Sequence, residues 1–196
     1  MKGLEEARKF YEEAGAEMIS RNFGDFENRI AVGLVGHGSE CFGFDDQTSR
    51  DHDFETGFCL WLTKDDEEKI GFYLMRAYDK LKEEYALKNG VDNARSSVES
   101  SAFKGVFTID DFYRRYTGSD GAPIDWQEWL YTDSFFFAEA TNGEVFRDDL
   151  GEFTKIRNEI LHGMPEDVRI KKIGSCALRA AQSGQYNYAR CIKHGE

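Results

Sequence analysis

Two short polar motifs, separated by eleven residues, carry the strongest chemical signal in this chain. Gly38-Ser39 follows the apolar run from Ile30 to Val35. Asp51-x-Asp53 comes later and is itself followed by an apolar segment. Glycine lets a backbone approach a phosphate closely, and serine adds a hydroxyl donor. Side chains two apart on a strand share a face, so Asp51 and Asp53 would repel each other unless a cation lay between them. The pattern predicts a phosphate-binding turn followed by a divalent metal site.

Mg²⁺ (or Mn²⁺) suits such a carboxylate pair because it binds few protein oxygens and keeps positions for substrate phosphates. Two such ions can clamp the attacking and leaving oxygens of a phosphoryl transfer. His52 lies between the carboxylates and is expected to point to the other face of the strand, where it is packed or solvated. The competing interpretation is an ordinary strand-to-helix turn followed by an acidic surface loop, because neither motif is specific by itself.

The flanking sequence predicts the elements that position these motifs. Apolar residues at three- and four-residue steps indicate a helix at 3–20, and the run Ile30 to Val35 indicates a buried strand. A second strand is expected at 53–62, a long helix after the capping box Thr63-Lys64-Asp65-Asp66, a third strand at 106–116, and helices at 125–140, 151–163 and 166–183. This order predicts an α+β fold: a small mixed sheet with flanking helices over 1–150, then a helical segment over 151–196.

Composition bounds the class of protein. The chain has 196 residues, is 40% hydrophobic and carries a net charge of −12. Residues 155–196 hold eight basic and four acidic side chains, a balance of +4, so residues 1–154 carry −16. An acidic body argues against tight binding to long nucleic acid. Without an apolar run near membrane length, a signal peptide or a Cys-x-x-Cys pair, we expect a cytoplasmic protein without a membrane contact and with reduced cysteines.

The strand, Gly38-Ser39, the gap and Asp51-x-Asp53 together resemble the signature of the nucleotidyltransferase superfamily of DNA polymerase beta. The wider sequence resembles an uncharacterised bacterial family regarded as nucleotidyltransferases, through Arg29-Ile30-Ala31-Val32-Gly33-Leu34-Val35-Gly36, Ser49-Arg50-Asp51-His52-Asp53-Phe54, Pro165-Glu166-Asp167-Val168-Arg169 and Gly184-Gln185-Tyr186-Asn187-Tyr188. Such proteins continue into a further helical domain, so the resemblance implies that 151–196 is the truncated start of one.

The resemblance implies a role for each matched residue. Gly38 and Ser39 would hold the triphosphate of a nucleotide, and Asp51 and Asp53 would bind Mg²⁺ while an acceptor hydroxyl attacks the α-phosphate. A third catalytic carboxylate is expected on a later strand, with Asp110 and Asp111 as candidates. Adjacent residues of a strand face opposite ways, so at most one of the two can join the site. Cations of the helical segment, Arg169 and Lys172, would contact the triphosphate or form a solvated helix face.

Three readings therefore stay open. The first is an Mg²⁺-dependent nucleotidyltransferase that moves a nucleotidyl group from a nucleoside triphosphate to an unknown small-molecule or protein hydroxyl. The second is a catalytically silent nucleotide-binding or regulatory module. The third is an RNase of the HEPN type, because Arg157 and His162 match its Arg-x4-His pattern. That pattern usually completes its site across a dimer, and a homodimer is left open here.

Overall fold

The computed structural model describes residues 3–45, 57–90 and 103–194. Within these ranges the strands are β1 (Ala31–Leu34), β2 (Cys59–Leu62), β3 (Val106–Thr108) and β4 (Glu144–Arg147). The α-helices are α1 (Gly3–Phe10), α2 (Ala16–Asn22), α3 (Ser39–Phe42), α4 (Lys64–Asp66), α5 (Phe72–Asn89), α6 (Ile109–Thr117), α7 (Trp126–Tyr131), α8 (Ser134–Thr141), α9 (Glu152–His162), α10 (Glu166–Gln182) and α11 (Ala189–His194). Short π-helical turns join α1 to α2, α4 to α5 and α10 to α11, and a 3₁₀ helix (Gly24–Arg29) precedes β1.

The strands form a mixed sheet in the order β3-β2-β1-β4. β1 runs antiparallel to both of its neighbours, with Gly33 opposite Cys59 on β2 and Leu34 opposite Glu144 on β4. β2 and β3 are parallel, with Leu60 beside Val106. The predicted α+β class, with a small mixed sheet and flanking helices, is confirmed.

The sheet is covered by helices on both faces, and alternation along the central strands assigns the residues to two cores. Cys59 and Trp61 face one core, where α6 and α9 contribute Phe112, Tyr113 and Phe153. Leu60 and Leu62 face the other core, where the first helices and α5 contribute Phe10, Ile19, Leu74 and Tyr78. Burial on both faces explains why β1 and β2 read as nearly continuous apolar runs.

The prediction of a strand over 106–116 is wrong beyond Thr108. The chain turns there into helix α6, and the Thr108 side chain accepts a hydrogen bond from the backbone N–H of Asp111 as an N-cap. The buried side chains of α6 recur with helical spacing at Ile109, Phe112, Tyr113 and Tyr116. Asp110 and Asp111 therefore lie in the first turn of a helix.

The predicted helix over 125–140 is two helices. α7 ends at Tyr131, and Asp133 starts α8 by accepting a hydrogen bond from the N–H of Phe135. The sequence after Asn142-Gly143 forms β4, an edge strand that the sequence interpretation did not include. This strand places the end of α8 directly beside the end of β1.

The last helices differ in how much they pack. Phe153 of α9 is fully buried, stacks on Trp61 with ring centroids 3.9 Å apart, and accepts a hydrogen bond on its backbone oxygen from Tyr113. From Arg169 to His194 nearly every residue is exposed. The division into two domains at residue 150 stays a prediction. Across the described residues, no helix has the length and apolarity needed to cross a membrane.

Candidate functional site

Four chain segments converge at one edge of the sheet, which we call the converging edge: residues 35–40, 57–58, 103–105 and 142–143. β1 ends here, and β2, β3 and β4 all begin here, because β1 is antiparallel to β2 and β4 while β3 follows the direction of β2. The Gly38-Ser39 turn lies at this edge as the continuation of β1. The segment that carries Asp51 and Asp53 leads into β2 at the same edge.

The turn after β1 has a backbone that requires glycine. Gly36 and Gly38 have φ angles of 119° and 123°, which side-chain-bearing residues rarely adopt. A Cβ on Gly36 would lie 2.6 Å from the Tyr116 hydroxyl, and one on Gly38 would lie 2.5 Å from a carboxylate oxygen of Glu40. The two glycines thus keep the chain close against the side chains of Tyr116 and Glu40.

Asn142 fixes this turn to the end of α8. Its side-chain oxygen accepts a hydrogen bond from the N–H of Gly36 at 2.8 Å, and its side-chain nitrogen donates to the oxygen of the same residue at 2.8 Å. The N–H of Gly143 also donates to the Cys41 oxygen at 2.9 Å. The turn and the start of β4 therefore form one hydrogen-bonded unit.

A largely buried ion pair lies beside the turn. Lys104 Nζ is 2.8 Å from Glu40 Oε1, and the two side chains are 7% and 13% exposed. Charges that are withdrawn from water in this way must be paired. Ser39, next to Glu40, is partly exposed, and its hydroxyl has no hydrogen-bond partner among the described residues.

His37 projects from the same turn onto a buried carboxylate. Its Nδ1 lies 2.8 Å from Oε1 of Glu139, a residue of α8 that is 4% exposed. The imidazole ring also packs against Phe103, with centroids 4.7 Å apart. Two segments of the converging edge, 35–40 and 103–105, therefore meet helix α8 at this histidine.

The groups behind the turn are held in their neutral forms. Burial raises the pKa of the Cys41 thiol, and the nearby charge of Glu40 raises it further. Burial also raises the pKa of the Tyr116 hydroxyl, with the charge of Glu139 acting in the same direction. Burial raises the pKa of Cys59 to about 11. Cys41, Cys59 and Tyr116 therefore carry no negative charge at neutral pH.

Asp51 and Asp53 lie outside the described residues, so their predicted role as metal ligands stays a prediction. Within 3–45, 57–90 and 103–194, no group of three or more histidine, cysteine, aspartate or glutamate residues is arranged to hold a metal ion. The fit of Mg²⁺ to this chain therefore depends on the Asp51-x-Asp53 segment. Glu40 and Glu139 are the described carboxylates that approach the turn.

Asp110 and Asp111 lie at the edge opposite to the Gly38-Ser39 turn, because β2 and β3 end where α6 begins. Asp110 Oδ2 is 2.8 Å from Lys64 Nζ, and Asp111 is ion-paired with Arg114. Asp110 also lines a cavity of about 260 Å³ with Thr63, Lys64, Asp65, Ile109, Glu152 and Ile156. Strand geometry places the two edges roughly 10 Å apart. The role of Asp110 or Asp111 as a third carboxylate stays a prediction. Their position at the opposite edge from the Gly38-Ser39 turn does not favour it.

Arg169 and Lys172 have partners on the helical side of the molecule. Arg169 makes two hydrogen bonds to Glu166, three residues earlier on α10, at 2.7 and 2.6 Å. Lys172 Nζ donates to the Thr132 oxygen at 2.5 Å, and burial lowers the pKa of its ammonium group. Their predicted contact with a triphosphate is not tested by these interactions.

Arg157 and His162, the HEPN-like pair, differ in environment. Arg157 Nη2 donates to the Thr141 oxygen at 2.6 Å and approaches the oxygens of Asn142 and Gly143, so it caps the end of α8. His162 is exposed at the end of α9. The arginine has a structural role that accounts for its presence, since the last carbonyls of a helix lack partners within the helix.

Sequence interpretation missed His37, Lys104, Glu139 and Asn142 as members of the site. Three of them come from segments more than sixty residues away from the turn, and no local spacing links them to it. A signal was present for Glu139, which lies among apolar residues in Phe-Phe-Phe-Ala-Glu-Ala. A carboxylate in such a run is either paired or functional.

Comparison with known proteins adds one match. Residues 129–196 match the model of DUF4037, a domain of unknown function. The match begins in α7 and includes Glu139 and Asn142, together with α9 and α10. The chain shows no significant similarity to a curated protein or to a solved structure.

Proposed function

We propose that this chain is an Mg²⁺-dependent nucleotidyltransferase that moves a nucleotidyl group from a nucleoside triphosphate to a hydroxyl of a small-molecule or protein acceptor. The observation that carries the proposal is the pairing of β1 with β2. It brings the glycine turn after β1 to the edge from which β2 starts, and β2 is the strand that directly follows the Asp51-x-Asp53 segment.

The residues of the turn supply the binding step. The positive φ angles of Gly36 and Gly38 shape the turn, and Ser39, which is partly exposed, offers a hydroxyl whose hydrogen-bonding capacity is not used by a described residue. Asn142 holds the turn in place before a ligand arrives. Catalysis of phosphoryl transfer depends mainly on positioning and on charge stabilisation, so a turn that is already held in place would lower the barrier.

Asp51 and Asp53 would hold Mg²⁺, which neutralises the charge that develops on the phosphates when it is bound. The acceptor oxygen would then form a bond to the α-phosphorus while the bond from that phosphorus to pyrophosphate breaks. The acidic body of the chain, −16 over residues 1–154, makes this neutralisation necessary for a triphosphate to approach.

The test uses nucleoside triphosphates radiolabelled at the α-phosphate, with Mg²⁺ and with small-molecule and protein fractions of a cell extract as acceptors. We expect label to move to an acceptor with equimolar release of pyrophosphate, and EDTA to stop both. Label at the γ-phosphate should appear in pyrophosphate and never in the acceptor. Transfer of γ-label, or the absence of any α-transfer, would contradict the proposal.

A second candidate, a catalytically silent nucleotide-binding module, has one observation in its favour. Asp110 and Asp111 lie at the opposite edge of the sheet from the Gly38-Ser39 turn, although a third carboxylate usually completes a transferase site. This candidate predicts calorimetric binding of a nucleoside triphosphate with Mg²⁺ in the absence of pyrophosphate release.

A further inference from the structure

His37 and Glu139 form a hydrogen-bonded pair in which one partner is buried and the other faces solvent. Glu139 is 4% exposed, whereas the side chain of His37 is 59% exposed. A carboxylate loses much of its hydration in such a position, so it requires a partner. Among the described residues, Nδ1 of His37 at 2.8 Å is that partner.

The pair is rigidly mounted. Glu139 and Asn142 lie one helical turn apart at the end of α8, so the same helix end holds the His37 side chain and the backbone of Gly36. Phe103 packs against the imidazole ring from the segment before β3. The ring orientation is thus fixed from two directions.

The hydrogen bond determines which nitrogen carries the proton. An ionised carboxylate only accepts hydrogen bonds, so when Glu139 is ionised it is Nδ1 of a neutral His37 that carries the proton. The lone pair on Nε2 is then available as a base, and Nε2 has no partner among the described residues. A base oriented by a third group in this way is the arrangement that activates a hydroxyl nucleophile.

We propose that His37 is the general base of the nucleotidyl transfer and that Glu139 is its positioning residue. This inference rests on the proposed function. Nε2 takes the proton as the acceptor O–H bond breaks, the oxygen bonds to the α-phosphorus, and pyrophosphate leaves with the electrons of the broken P–O bond. The imidazolium, stabilised by the Glu139 carboxylate, later releases its proton to solvent.

The transfer needs a base near the Gly38-Ser39 turn, and Asp110 and Asp111 lie at the opposite edge of the sheet. His37 lies in the turn itself. His37 is one residue from Gly38 and two from Ser39, so a base and a phosphate-binding turn share one short segment. Two further titratable groups reach the backbone of His37: the Tyr116 hydroxyl on α6 is hydrogen-bonded to it, and Cys41 Sγ lies 3.7 Å from its oxygen.

The experiment measures α-label transfer with Mg²⁺ across pH for the wild type, His37→Gln and Glu139→Gln, with His194→Gln as a matched control on exposed α11. General bases typically contribute about 10²–10⁴-fold. We expect His37→Gln to lower kcat at least about 10²-fold and to remove the acid limb of the pH profile. Glu139→Gln removes the carboxylate that orients the imidazole ring, so kcat should fall while the KM for the nucleotide stays near the wild-type value.

Several outcomes separate the inference from the proposed function. Transfer by His37→Gln within twofold of the wild type, with the acid limb retained, would overturn the role of His37. A kcat of Glu139→Gln equal to that of the wild type would overturn the role of Glu139. Absence of transfer by the wild type would overturn the proposed function, and with it the catalytic roles of His37 and Glu139. If His37→Gln is poorly folded by circular dichroism, rescue of His37→Ala by added imidazole decides: recovery supports the base, and failure in a folded variant contradicts it.

Discussion

The side chain of Asn142 makes two hydrogen bonds to the backbone of Gly36, as a neighbouring β-strand would. Its Oδ1 accepts from the Gly36 N–H and its Nδ2 donates to the Gly36 oxygen, each at 2.8 Å. Gly36 is buried, so neither of its backbone groups can turn to water instead. A side-chain amide suits this role because its NH₂ group donates and its oxygen accepts. Through this pair, residues 106 positions apart hold the turn at the converging edge.

Asn142→Ala should lower the free energy of unfolding by about 2 kcal/mol, because a buried donor and a buried acceptor lose their partners. The matched control is Asn158→Ala, at an exposed position of α9, which should change stability by less than about 0.5 kcal/mol. Urea denaturation followed by circular dichroism measures both. Equal stability of the two variants would show that the Asn142 hydrogen bonds do not hold the turn.

Gly36→Ala should destabilise the turn through backbone strain. A φ angle of 119° is unfavourable for alanine, and the new methyl group would lie 2.6 Å from the Tyr116 hydroxyl. We expect a loss of about 1–3 kcal/mol. Gly24→Ala is the control, since a Cβ there meets nothing within 4 Å. Thermal melts of the two variants that coincide would contradict the described conformation of the turn.

Asp66 should make stability depend on pH in the acid range. Burial raises the pKa of its carboxyl, but hydrogen bonds from Arg29 and Thr63 and the charge of Arg29 outweigh burial, so the net pKa is lowered. A lowered native pKa means that the stabilisation is complete above about pH 4, the ordinary range of the carboxyl in the unfolded chain, and is lost as the pH falls through the native value.

Asp66→Asn therefore tests the Arg29 ion pair, whose atoms lie 2.9–3.0 Å apart. At pH 7 the variant should be less stable by about 2 kcal/mol, since Asp66 is fully buried while Arg29 is partly exposed. The difference from the wild type should shrink below pH 4. Exposed Asp65→Asn provides the control, and a difference that does not vary with pH would refute the linkage.

The four cysteines should fall into two reactivity classes. Cys176 and Cys191 are exposed, whereas Cys41 and Cys59 are buried and burial raises the pKa of both thiols. In the native protein at pH 8, a thiol reagent such as DTNB should therefore modify two cysteines quickly and two only on unfolding, because the thiolate is the reactive form. Rapid modification of all four would contradict the described burial.

Local patterns predicted β1 and the long helix α5, which bury sets of apolar residues, and the helices α9 and α10, which are separated by Gly163 and Pro165. They failed at Thr108, where aromatic residues with good strand propensity form α6. The N-cap at Thr108 and the i, i+3, i+4, i+7 spacing of its buried residues determine the helix instead. β3 is only three residues long, so its alternation of side chains is too short to be distinguished from the start of α6 in the sequence.

The candidate site could be predicted only in part for a different reason. Gly38-Ser39 is local, so its place after β1 follows from the sequence around it. His37, Glu139 and Asn142 meet through the antiparallel pairing of β1 with β4, a contact between distant segments that no spacing along the chain encodes. Strand direction, which decides at which edge of the sheet each loop lies, is also what separates Asp110 and Asp111 from the turn.

The most direct measurement of the central claim compares α-label transfer by the wild type, Asp51→Asn and Asp53→Asn in the presence of Mg²⁺. Asp25→Asn is the control, because Asp25 is an exposed carboxylate of the 3₁₀ helix before β1. We predict that each variant at Asp51 or Asp53 loses transfer by at least roughly 10²-fold, as removal of groups that stabilise transition-state charge does, while Asp25→Asn matches the wild type. Transfer at the wild-type rate in Asp51→Asn or Asp53→Asn would contradict the account.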